Sequence, residues 1–63
     1  MMETNSRRLL ARLKADGFII VKVRGSHHKL KKDGLTVTLP HPKKDLPLGT
    51  VRNIYKQAGW PLD

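Results

Sequence analysis

The chain has no cysteine. Neither a disulfide framework nor a thiolate metal site can supplement its core, so stability must come from packing or from a partner. The absence also fits a reducing compartment. Apolar runs are short: none approaches the roughly 18 residues of a membrane span, and residues 1–6 do not open into a signal-type segment. The expected setting is soluble and cytoplasmic, with no membrane partner. Acids are scarce as well. Five Asp and Glu, scattered at positions 3, 16, 33, 45 and 63, offer no paired carboxylates for acid–base work. They stand against 13 Lys and Arg, for a net charge of +8 on 63 residues. That excess costs self-repulsion and points to a polyanion, nucleic acid first and an acidic protein second. A chain of this length permits one domain and no second core.

What is present reads as five elements. Residues 6–16 place Leu9, Leu10 and Leu13 at helical spacing, with Asn5 or Ser6 as N-cap and Gly17 as the stop. Residues 18–24 are rich in β-branched side chains. They predict a half-buried strand with Ile19, Val21 and Val23 on one face and Lys22 and Arg24 on the other. A Gly25-Ser26 corner leads to a second strand, and Asp33-Gly34 is the pair a tight hairpin turn requires. Leu35, Val37 and Leu39 then alternate with Thr36 and Thr38 until Pro40 and Pro42 end the third strand. From about Leu48 to Ala58, Val51, Ile54, Tyr55 and Ala58 form an apolar stripe that stops at Gly59. Two amphipathic helices need one common surface. The predicted fold is therefore α+β, with both helices packed on one face of a three-stranded antiparallel sheet. The opposite face is left open and positive, carrying Lys22, Arg24, Thr36 and Thr38, and nucleic acid can lie along it.

The segment VRGSHHKLKKDG, residues 23–34, sets two imidazoles beside a turn. Neighbouring strand residues point to opposite faces and no carboxylate lies close in sequence, so His27 and His28 are poorly placed to share an ion, and no metal or cofactor is expected. Ser26 beside His27 is adjacency, not a nucleophilic triad. RNA lowers the requirement, because its 2′-hydroxyl is an internal nucleophile. An enzyme then needs to move protons, which one imidazole can do near neutral pH, and to balance charge on the crowded phosphate. Lys29, Lys31, Lys43 and Lys44 are candidates for that balance. Composition alone yields a noncatalytic RNA-binding module, and histidines in short strands also simply pack or hydrogen-bond. A small adaptor for an acidic protein is a third reading. His41, between two prolines, reads as a loop-ordering residue, and Tyr55 and Trp60 as packing residues rather than base-stacking platforms.

Four segments together resemble one family: LKADGF closing the first helix, GSHHKL opening the second strand, TVTLPHP running into the loop, and LPLGTVRNIYKQAG as the last helix. The chain is similar over nearly its whole length to the HicA-type toxins of bacterial toxin–antitoxin pairs. The resemblance implies a fold like the double-stranded RNA-binding domain and a metal-independent ribonuclease that cleaves messenger RNA. It implies that the catalytic histidine stands fourth in Gly-Ser-x-His, which is His28 here. His27, in the variable third place, is left a supporting contact to phosphate or to Ser26. The expected RNA contacts are Lys22, Arg24, Ser26, His27, Lys29, Lys31, Lys43 and Lys44. The family also implies a HicB-type antitoxin that blocks the active surface, with DNA engaged only indirectly, through that partner.

Overall fold

Local sequence sets both ends of the first helix, α1 (Ser6–Ala15). The computed structural model describes residues 2–62; Met1 and the last of the five acids, Asp63, lie outside the described residues. Asn5 is the N-cap, its side chain accepting from the backbone N–H groups of Arg7 and Arg8. At the other end Gly17 takes φ +102°, and the N–H of Phe18 reaches back to the carbonyl of Leu13 at 2.9 Å. The last helix, α2 (Leu48–Ala58), ends the same way: Gly59 has φ +75°, and the N–H of Trp60 donates to the Tyr55 carbonyl at 2.9 Å. In both, a left-handed glycine turns the chain and the aromatic after it folds back over the final turn.

Between the helices run β1 (Ile19–Arg24), β2 (His27–Lys32) and β3 (Leu35–Pro40), an antiparallel meander in the order β1-β2-β3. Arg24 pairs with His27, leaving Gly25-Ser26 as a two-residue turn with positive φ at Gly25 alone. Lys32 pairs with Leu35, and both Asp33 and Gly34 have positive φ. The two hairpins thus use the II′ and I′ patterns whose twist matches the flanking strands.

Register decides which side chains share a face, since directly opposed residues lie side by side. The rows Ile20–Leu30–Val37 and Val23–His28–Leu39 belong to one face. Leu30, Val37 and Leu39 are fully buried there, against Leu9 and Leu13 of α1 and Val51, Ile54 and Tyr55 of α2. The rows Lys22–Lys29–Thr38, Arg24–His27–Pro40 and Ile19–Lys31–Thr36 make up the other face. It is open and positive as the alternation predicted, and Lys22, Arg24, Thr36 and Thr38 all lie on it, exposed. Two helices on one face of a three-stranded antiparallel sheet, in α-β-β-β-α order, constitute the α+β fold of the double-stranded RNA-binding-domain type.

The first strand departs from expectation. Every residue of β1 is exposed rather than half buried. A bulge between Ile20 and Lys22 takes Val21 out of the pairing, so Ile19 faces outward with Lys31 while Ile20 and Val23 face the helices. The cause lies in the packing: the helices meet the sheet chiefly at β3, and Ile20 and Val23 on the same face stay exposed. Phe18, just before the strand, enters the core in its place. Leu10 and Leu35 also lie at the rim, half-buried and exposed respectively.

One polar cluster joins the helix ends. Arg12 lies 4.0 Å over the Trp60 ring and donates to the buried Tyr55 hydroxyl at 2.9 Å. The Trp60 ring meets Tyr55 edge-on at 5.2 Å, and its indole N–H donates to Asp16 at 2.9 Å, with Lys32 3.3 Å from the same carboxylate. Tyr55 and Trp60 are thus packing residues. The Trp60 N–H first, and then Lys32, hold the Asp16 carboxyl below the usual carboxylate range. A lowered native value means that the contribution of this group is present above the unfolded value, near pH 4, and is lost as pH falls through the native one. Trp60→Phe should move the Asp16 midpoint upward towards an ordinary aspartate in a carboxyl NMR titration. An unchanged midpoint would assign the shift to other groups.

Candidate active site

Two basic regions flank the sheet, and the two adjacent histidines are divided between them. On the open face, Lys22, Arg24, His27, Lys29 and Thr38 surround a shallow depression. The alternation of β2 and its pairing to β1 bring these side chains together, and Lys31 continues the row beside Thr36. Nothing in this patch is buried. It can track a phosphate backbone, which demands positive charge and little shape.

His28 lies on the helix side, in the same row as Val23 and Leu39 and two residues from the buried Leu30. It is half-buried. Its Nδ1 is enclosed without a hydrogen-bond partner, the only such side-chain nitrogen or oxygen among the described residues. Nε2 is left as the nitrogen that meets solvent. The ring stands edge-on to His41, with centroids 5.1 Å apart and planes at 85°.

His41 is held on three sides. Its backbone N–H donates to the Ser26 carbonyl at 2.7 Å, one step past the last paired residues of β2 and β3. Its Nδ1 lies 2.7 Å from the Ser6 hydroxyl, and its ring packs on His28. Ser6, only 1% exposed in the first turn of α1, also receives the N–H of Lys43 at 2.7 Å and gives its own N–H to the Lys43 carbonyl at 2.9 Å. A further bond from Leu46 N–H to the Thr4 carbonyl, 2.8 Å, completes the stitching of the 41–47 loop to the start of α1. The result is an open cleft of about 560 Å³ lined by Asn5, Ser6, Arg7, His41, Lys43 and Lys44.

The residues singled out from sequence therefore divide. Lys22, Arg24, His27, Lys29 and Lys31 share the open face. Lys43 and Lys44 line the cleft on the helix side, the side of His28. Ser26 sits exposed in the turn between them, and its carbonyl accepts from the His41 N–H. His41 orders the loop, as its place between two prolines suggested. Ser6 and Arg7 went unrecognised as parts of this cleft, since the bonds that bring Ser6 to the loop cross 35 and 37 residues. The face of His28 was readable, because it shares strand parity with Leu30. Among the described residues no group of three or more His, Cys, Asp or Glu side chains is placed to hold a metal ion.

The family model described as the HicA toxin of bacterial toxin-antitoxin matches residues 6–60, from the first residue of α1 to Trp60. The chain belongs to the HicA toxin family. HicA proteins are the toxin components of toxin–antitoxin systems, so membership gives the chain a cognate antitoxin as partner. No curated protein matches the chain. No helix among the described residues is long and apolar enough to cross a membrane.

In this HicA chain the Ser6 hydroxyl anchors both the loop and one imidazole. Ser6→Ala should lower unfolding free energy by about 2 kcal/mol, the scale of leaving buried polar groups without partners. The shift in urea midpoint measures it. A variant as stable as the parent would show that solvent replaces those bonds at no cost.

Proposed function

We propose that the chain is a metal-independent endoribonuclease that cuts messenger RNA, with His28 as its proton-transfer residue. The observation that carries this reading is the half-buried His28, its Nδ1 enclosed and its Nε2 open to solvent, beside a cleft edged by Lys43, Lys44 and Arg7. Nε2 takes the proton of a ribose 2′-hydroxyl. The 2′ oxygen bonds to phosphorus, the bond from phosphorus to the 5′ oxygen breaks, and the departing oxygen takes up one proton, from the same ring or from water. A cyclic phosphate and a 5′-hydroxyl result. Cations at the cleft lower the energy of the extra charge on the pentacoordinate phosphate. A HicB-type antitoxin of acidic character fits as the inhibitory partner, since it can compete with RNA for the same positive surfaces. DNA is then reached only through that partner, and the cytoplasm, where transcripts are found, is the setting.

The open-face patch favours a second reading, a noncatalytic RNA-binding module. Lys22, Arg24, His27 and Lys29 form a polyanion surface that does not include His28.

His28→Ala separates the two. Transcript cleavage by the free toxin should fall by at least about a hundredfold, the usual scale for losing a general base, with the folded domain and antitoxin binding retained. Unchanged cleavage would remove His28 from the mechanism. RNA affinity supplies an independent check. Replacing Lys22 and Lys29 together by alanine should weaken binding and flatten the log–log salt slope by about 1.4, or about 0.7 for each lost phosphate contact on single strands. A parental slope would place the RNA elsewhere.

A further inference from the structure

The Ser6–His41 hydrogen bond leaves a second imidazole with a defined hydrogen-bonding role. Ser6 Oγ lies 2.7 Å from the Lys43 amide, which can only donate, and 2.7 Å from His41 Nδ1. Two arrangements of protons are conceivable. In one, His41 Nδ1–H also donates to Ser6, so that the serine oxygen accepts twice and its own proton has no acceptor. Ser6 is 1% exposed, and no third partner for its hydroxyl exists among the described residues. An unmet buried hydroxyl donor is disfavoured. In the other, the serine hydroxyl accepts from Lys43 and donates to Nδ1, and every group is satisfied. The second arrangement fixes the neutral His41 ring with its proton on Nε2. That atom is not hydrogen-bonded within the described residues, nor is it enclosed as His28 Nδ1 is.

We propose that His41 is a second catalytic imidazole of this site, one that transfers no proton: its Nε2–H donates a hydrogen bond to a non-bridging oxygen of the scissile phosphate while His28 moves the proton. The inference rests on the ribonuclease reading above. It assigns different duties to two rings 5.1 Å apart. His28 takes the 2′-hydroxyl proton on Nε2, which places the neutral ring's own hydrogen on the enclosed Nδ1. His41, locked by Ser6 from behind and by the Ser26 carbonyl at its backbone, is a preorganised donor in the same cleft as Arg7, Lys43 and Lys44. Donors fixed before the charge develops need no rearrangement in the transition state, which is why they act more strongly than mobile lysines. The 41–47 loop thereby becomes part of the catalytic apparatus and does more than connect a strand to a helix.

Three measurements on the full chain, free of antitoxin, test this. Nitrogen-15 NMR of the unliganded wild type, at a pH where the imidazoles are neutral, should show His41 with Nε2 protonated and Nδ1 bare and hydrogen-bonded. The opposite tautomer overturns the proposal with no RNA present. Next, RNA carrying a single phosphorothioate at the cleaved position should be cut at different rates in its two diastereomers by the wild type. Equal rates for the two also overturn it. Finally, His41→Ala should slow cleavage about a hundredfold and abolish the diastereomer preference. His41→Gln, whose amide N–H reaches near the position of Nε2, should recover to within about tenfold of wild type and restore the preference. A glutamine variant as deficient as the alanine variant would mean that His41 transfers a proton or only holds the loop, and either result overturns the donor role. A wild type that leaves RNA uncut would overturn the ribonuclease reading and this role with it. An active wild type whose diastereomer preference is the same in both variants overturns this role alone.

Discussion

The buried hydroxyl of Ser6 is the contact on which the helix-side site depends. It lies where the first turn of α1 meets the loop after β3, and it binds to that loop through one backbone N–H and one imidazole nitrogen. Sheet pairing alone would leave the segment from His41 to Pro47 free beyond the last β2–β3 bonds. With Ser6 in place, the loop is tied to the helix, Leu46 is drawn into the core, and His41 is set against His28. The helix contributes position here through an ordinary side chain rather than through charge, since its N-terminal amides are already occupied by Asn5. A serine so placed has a double identity: by sequence it is a cap candidate, and by structure it is an interior hydrogen-bonding node.

The second organising feature is the pleat of β2. His27 and His28 are neighbours in sequence, yet one joins the lysines and arginine of the open face and the other joins the apolar row beneath the helices. A strand of alternating parity thus gives this small domain two chemically different surfaces. The open one is broad, cationic and without depth, suited to holding a polyanion of any sequence. The helix-side one has an enclosed ring nitrogen, an ordered loop and a cleft. A tether on one face and chemistry on the other would let binding and cleavage be tuned by separate substitutions.

Much of this was legible because it is local. Gly17 and Gly59 each stand just past an apolar stripe, Asp33-Gly34 requires a particular turn, and Thr36 and Thr38 alternate with buried residues, so the elements and the open cationic face followed from spacing alone. The first strand did not. Its apolar residues read as core, but whether a strand is covered depends on where the helices come to rest, and no window of β1 encodes that. The bulge at Val21 is likewise invisible locally, since it reflects a mismatch between two strands. The pairing of Ser6 with His41 spans the chain almost from α1 to α2, and residue types give no sign of it. His28 stands between these cases: its face was determined by parity with Leu30, whereas its neighbour His41 was not.

The uncovered first strand has a consequence for the protein in bulk. Its outer margin carries backbone groups with no partner strand in the sheet, next to Ile19, Val21 and Val23, which are 63%, 46% and 54% exposed. Such a margin is a template on which another chain can add, the usual origin of edge-to-edge aggregation. Lys22 and Arg24 interrupt the apolar residues, and the bulge twists the strand out of the flat geometry that stacking needs. The high positive charge then has a second use: two copies approaching margin to margin repel each other before the ladder can form. That protection is electrostatic, so it weakens with ionic strength, and the same charge that suits the open face to a polyanion is what keeps the molecules dispersed.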